Sequence, residues 1–169
     1  MSARLQGRMR AITFAAVATL LVALVRFGSS GIAGVHAAST GTGRVGDPVI
    51  YASPVELLFS PDGARLYVLC QGSDQVRVLN AADFKTIGNI DVGHIPRGFS
   101  LSPDGSRLFV TNTWDDTLSV IDTSTMEVVA TWPVGAEPSS VIEDRDGKYL
   151  FVANRISNDV AVLDAATGA

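Results

Sequence analysis

Residues Arg97 to Pro138 read RGFSLSPDGSRLFVTNTWDDTLSVIDTSTMEVVATWPVGAEP, and the chain repeats this 42-residue unit on either side. Pro54, Pro96 and Pro138 stand 42 apart. So do Asp62, Asp104 and Asp146, each followed by a glycine (Gly63, Gly105, Gly147), and so do Leu66, Leu108 and Leu150. Self-similarity at a fixed period of this size means stacked structural units, each of which buries its apolar faces against its neighbours. Within the central unit, four apolar runs are separated by turn residues. The first run is Phe99 to Ser102. The turn Ser102-Pro103-Asp104-Gly105 follows, where proline pre-sets φ, aspartate bonds its own backbone and glycine accepts positive φ. Arg107 to Thr111 is continuous and apolar, as a strand buried on both faces requires. Asn112 to Asp116 is polar and reads as a loop. Thr117 to Asp122 is a third run, and Met126 to Trp132, rich in β-branched and aromatic residues, is a fourth. No window has the 3.6 period of a helix. The expectation is an all-β fold, a β-propeller of four-stranded blades.

The repeat resembles the YVTN-type β-propeller repeat. The resemblance rests on Leu108-Phe109-Val110-Thr111-Asn112 and Leu150-Phe151-Val152-Ala153-Asn154, which follow the SPDG and DRDG turns. The first unit departs from it: Leu66-Tyr67-Val68-Leu69-Cys70 has cysteine where the others have asparagine. The resemblance covers Pro54 to the C-terminus and implies a propeller. It does not fix an activity, because one fold hosts many functions.

Three blades are expected, at residues 54–95, 96–137 and 138–169, the last incomplete. The third unit reaches its third run, Asp159 to Leu163, and ends before any counterpart of Lys85–Val92 or Glu127–Val134. A seven-bladed ring at this period needs roughly 290 residues. The chain is therefore expected to be the N-terminal part of a longer protein. Assembly of several copies into one ring is the alternative. Residues 39–53 form a linker and an expected ring-closing strand, Arg44 to Tyr51. Its Val45 and Ile50 fall on the fourth-strand positions of Ile87 and Val92.

Residues 1–38 read as a signal peptide. Arg4, Arg8 and Arg10 form its basic start, and Ala11 to Val25 is an uncharged run shorter than the roughly 20 residues of a membrane span. Val35-His36-Ala37 fits a cleavage site before Ala38, and an uncleaved N-terminal anchor is the other reading. Either places the protein outside the cytoplasm, in the periplasm or at the cell exterior. Four of the 13 basic residues and none of the 17 acidic ones precede Ser39, so the remainder carries a net charge of −8. That argues against electrostatic binding of nucleic acid, which needs a basic surface, and tolerates cationic partners.

Candidate site residues are those that break the repeat. His94 is aligned with Ala52 and Ala136 in the connection between the first two units. Trp114 is aligned with Gly72 and Ile156 in an exposed hairpin, where an aromatic suits partner contact. Arg97 is aligned with Val55 and Ser139, near the expected central channel, and is the candidate anion contact. Asn112 and Asn154 recur at strand ends, where amides satisfy loop backbone groups. Asp74, Asp116 and Asn158 recur before the third strand as turn formers. Asp62, Gly63, Asp104, Gly105, Asp146 and Gly147 are expected to serve the turn, and Asp144-Arg145-Asp146-Gly147 lacks the later ligands of a calcium loop. Cys70 reads as a small buried residue. No cofactor or metal site is evident, and no nucleophile–base–acid set stands out. Two function classes remain. One is a non-catalytic exported scaffold that binds a protein, a glycan or a small ligand. The other is part of a propeller enzyme or redox subunit, similar to haem d1, amine dehydrogenase or lactonase propellers, with its active site in further blades.

Overall fold

The computed structural model describes residues 52–169. The readings made for residues 1–51, including the signal segment, His36 and the closing strand Arg44–Tyr51, lie outside them. Among the described residues eleven strands form three antiparallel sheets. The first contains β1 (Pro54–Phe59), β2 (Arg65–Cys70), β3 (Gln75–Asn80) and β4 (Thr86–Asp91). The second contains β5 (Pro96–Leu101), β6 (Arg107–Asn112), β7 (Thr117–Asp122) and β8 (Glu127–Pro133). The third contains β9 (Pro138–Glu143), β10 (Tyr149–Asn154) and β11 (Asp159–Asp164). Each sheet is a meander in chain order. The first strands of successive sheets lie beside one another, β1 by β5 and β5 by β9. This is the arrangement of consecutive propeller blades, as the 42-residue period predicts.

The packing follows the same period. Tyr67, Leu69, Val76, Val78 and Ile90 of the first sheet meet Phe99, Leu108, Val110 and Ile121 of the second. One repeat later, Phe109, Leu118 and Val120 of the second sheet meet Val141, Leu150 and Val152 of the third. Side chains alternate across a strand, so one face of the second sheet serves each neighbour. Leu108 and Val110 point one way and Phe109 the other, and all three are fully buried. Each such apolar side chain contributes about 1.5–3 kcal/mol when buried. The same positions are bare where no sheet among the described residues faces them. Leu118 and Val120 are 0% and 2% exposed, whereas their counterparts Val160 and Val162 in the third sheet are 59% and 55% exposed.

Two expectations change in detail. The first run of the unit begins at Pro96, not Phe99, because the backbone already pairs with Asn112 there through a bulge. Asn112, read as the start of a loop, closes β6 and is fully buried. Its amide has enough partners to be buried without penalty, as described next.

Candidate functional site

Antiparallel meanders put the loops at two ends of the sheets. One end, here called the rim, carries the turns between second and third strands and the connections between sheets. At this end the fold is fastened by a repeated device. Asp74 and Asp116 adopt left-handed backbone, φ 53° and 54°, which aspartate tolerates better than most residues. Their Oδ1 atoms accept hydrogen bonds from the amides of Ile95 and Glu137, each 2.8 Å long. Each turn thus holds the connection that leads into the next sheet. Asn112 adds to this from below. Its Oδ1 accepts from the Gly93 amide at 3.1 Å, and its Nδ2 donates to Thr117 Oγ1 and Ser119 Oγ, both at 2.9 Å. Gly93 must be glycine: a Cβ there would lie 2.6 Å from Asn112 Cγ. Asn154 repeats the pattern in part, donating to Asp159 Oδ1 at 2.8 Å.

On this frame the rim brings His94 and Asp115 together. Asp115 Oδ2 accepts from the His94 backbone amide at 2.7 Å, and His94 Nδ1 lies 2.9 Å from Asp115 Oδ1. The Trp114 amide donates to the His94 carbonyl at 3.2 Å, so Trp114 belongs to the same knot of backbone. The carboxylate hydrogen-bonded to the His94 ring raises that imidazole above its ordinary value, and the charges of Asp115 and Asp74 act in the same direction. The His94 amide in turn lowers Asp115. The next junction places Ala136 and Ser157 at these positions, where the Ala136 amide donates to Ser157 Oγ at 3.1 Å. It adds an ion pair between Arg155 and Glu137 one step along.

Trp114 projects from this knot 73% exposed, and its counterpart Ile156 on the third sheet is 59% exposed. A cleft of about 330 Å³ is lined by Gly93, Asn112, Asp115, Thr117 and Thr131, among others. Arg97 stands apart from the pair. It is exposed at the start of β5, at a bulge between the paired residues Pro96 and Gly98. A bulge re-aims a side chain, and Val55 and Ser139 occupy the equivalent bulges. Arg97 makes no hydrogen bond to His94 or Trp114. Cys70, free and buried at the end of β2, has its thiol pushed up by burial, which suits an inert structural cysteine. Among the described residues no three histidine, cysteine or carboxylate side chains are placed to hold a metal ion.

The opposite end carries the turns of the SPDG type. Asp62 Oδ1 accepts from Ser60 Oγ and from the Ala64 amide, and Asp104 Oδ1 does the same with Ser102 and Ser106. The Ser102 hydroxyl and the Ser106 amide hold the Asp104 carboxyl down at about 2. The third turn differs from its expected role. Asp144, not Asp146, accepts the turn's amides, those of Lys148 and Tyr149 at 2.7 and 3.1 Å. An aspartate at the serine position can take over both serine and aspartate duties. Arginines at β2 and β6 tie this end across the junctions: Arg65 Nη1 donates to the Thr123 carbonyl at 2.5 Å and Arg107 Nη1 to the Ala165 carbonyl at 2.8 Å.

A sequence model of the YNCE-like β-propeller family matches residues 60–169, more than half of the chain. No curated protein sequence matches it. Among solved structures, the hydrazine synthase of Kuenenia stuttgartiensis is similar at 27% identity and a TM-score of 0.67, over 75% of this chain and 37% of that one. A protein described as a "putative 6-phosphogluconolactonase" from Bacteroides fragilis is 26% identical with a TM-score of 0.61, over 70% of this chain and 37% of its own. A protein of the same description from Bacteroides uniformis gives 26% and 0.61, over 70% and 38%. The chain thus spans less than two-fifths of the length of these proteins. With the repeat, the three meander sheets and the family match in hand, the chain belongs to the YNCE-like β-propeller family.

Proposed function

We propose that this protein is an exported β-propeller that acts as a binding scaffold and presents its rim to a protein, glycan or small-ligand partner. The observation that supports it is the pair Trp114 and Ile156, large apolar side chains held out at the same repeat position of successive sheets. Exposed aromatic anchors beside fixed polar groups are what binding surfaces use. His94 and Asp115 supply hydrogen-bonding and charged groups next to Trp114, and Arg97 supplies a cation on the first strand. In this reading the rim side chains bind and position, and none performs bond chemistry. Export rests on the charged and apolar pattern of residues 1–38.

A second reading is favoured by the similarity to hydrazine synthase and to the proteins described as lactonases. There the chain would form part of a propeller enzyme or redox subunit. The two are separated by probing the full chain against glycan and peptide arrays alongside Trp114→Ala, and by assaying it for lactone hydrolysis. A binder lost in Trp114→Ala supports the scaffold. Lactone turnover by the full chain, or array binding indifferent to Trp114→Ala, contradicts it.

A further inference from the structure

The outer part of the first junction breaks the repeat. In the first sheet, Arg77 of β3 stands opposite Asn89 of β4, and Arg77 Nε donates to Asn89 Oδ1 at 3.3 Å. One repeat later the same cross-strand pair is Ser119 of β7 and Thr131 of β8. Two short hydroxyl side chains thus stand where the first sheet places two longer ones bonded to each other. Both line the cleft of about 330 Å³, with Thr117 and Val128 on the same sheet and Asp91 and Gly93 across the junction.

The hydroxyls of this cleft have protons to give. Asn112 Nδ2 donates to Thr117 Oγ1 and to Ser119 Oγ, so both oxygens already accept. Among the described residues neither hydroxyl donates to a protein acceptor, and the Thr131 hydroxyl has no partner. Ser119 is only 2% exposed, and a hydroxyl at that depth ordinarily spends its proton on an acceptor. Accepting from an amide also polarises a hydroxyl as a donor. On the facing wall, Asp91 Oδ1 accepts from Gln75 Nε2 at 2.7 Å, which leaves Oδ2 as an acceptor. Val128 adds partly exposed apolar surface.

We propose that this cleft binds one ring of a neutral sugar through a pair of neighbouring hydroxyls. A sugar hydroxyl both donates and accepts, so it accepts from Ser119 and Thr131 and donates to Asp91, and the C–H face of the ring covers Val128. The carboxylates of Asp91 and Asp115 oppose an anion. Ligand sites run from roughly 300 to 1,000 Å³, and a cleft at the small end of that range suits a single ring rather than a chain of them. The inference narrows the partner of the rim to a sugar. It rests on the scaffold reading for the cleft's place beside the rim, and on the hydroxyls rather than on Trp114.

The full chain is titrated with the methyl glycosides of glucose, galactose and mannose, followed calorimetrically. At least one is expected to bind. Thr131→Val keeps the shape of an exposed side chain and removes its hydroxyl. It is expected to weaken that binding about three- to tenfold at an unchanged melting temperature. Ser119→Ala installs the residue that the third sheet carries at this position, Ala161, and is expected to weaken binding by a similar factor. Glycoside binding that both variants leave intact overturns the proposal. So does the absence of binding by all three glycosides, and if the arrays then yield a partner lost in Trp114→Ala, the scaffold reading stands without the sugar.

Discussion

The junction between the first and second sheets and the junction between the second and third share one plan but differ in the chemistry placed on it. Both have an apolar core from the same repeat positions. Both have an aspartate, Asp74 or Asp116, that accepts from the amide leading into the next sheet. Both have an arginine, Arg65 or Arg107, that reaches the carbonyl of a turn across the junction. The variable positions sit around this frame. The first junction carries His94 and Asp115 at the rim and apolar Leu101 at the far end. The second carries Ala136 and Ser157 at the rim and Glu143 at the far end. The constant positions hold the sheets together, which leaves the variable ones available for recognition.

If the two junctions are equivalent in their cores, deleting the same aromatic should cost the same in each. Tyr67→Ala and Phe109→Ala are each expected to destabilise by about 3–5 kcal/mol in urea unfolding, because both rings are almost completely buried. A large inequality between them would break the comparison. The aspartate fastening ranks next. Asp74→Ala and Asp116→Ala each lose a hydrogen bond to a connecting amide and leave alanine at positive φ, for about 1–2 kcal/mol apiece.

The far end should sharpen the contrast through pH. Burial holds the folded-state pKa of Glu143 above its ordinary value of 4.5, so folding disfavours its ionised form. The wild type is thus free of this penalty below that value and loses stability as pH rises through the folded-state pKa. The stability difference between Glu143→Leu and wild type should widen from acid to neutral pH. No comparable term arises at the first junction, where Leu101 stands in its place. The smallest effect belongs to His94. Its pKa is raised by Asp115, so the pair contributes stability below the imidazole's ordinary value of 6.5. That contribution fades as pH rises through the folded-state value. His94→Ala should remove a small pH dependence on the neutral side of the unfolding profile, without effect at alkaline pH. The exposure of the ring keeps this small.

The fold was legible in the sequence because a 42-residue period repeats the turn, the buried strand and the proline together, and only stacked four-stranded units satisfy all three. The polarity of Asn112 points to a loop, whereas the partners that let it close a buried strand are not visible in the sequence. Those partners, Gly93, Thr117 and Ser119, come from three different segments. The candidate site was half legible. His94, Trp114 and Arg97 were each found as breaks in the repeat, but the contact between His94 and Asp115 joins residues 21 apart, half a repeat. A signal existed: Ala136 and Ser157 have the same separation, so both members of one contact depart together from the other unit. Glu143 stands at the apolar position of Phe59 and Leu101, a break in the repeat as plain in the sequence as His94. The Asp146-Gly147 pair matches the other turns in sequence, but Asp144 stands where they have serine and takes the amides of Lys148 and Tyr149.

The rim is proposed to recognise a partner through Trp114 and the side chains fastened around it. The most direct test is hydrogen–deuterium exchange of the full chain with and without a partner selected on the arrays. Slowed exchange is predicted at residues 93–97 and 113–116 and at the Ile156 turn, with the turns at 60–63 and 122–126 unchanged. Slowing confined to those far turns or to the bare face of the third sheet, with the rim unaffected, would contradict it.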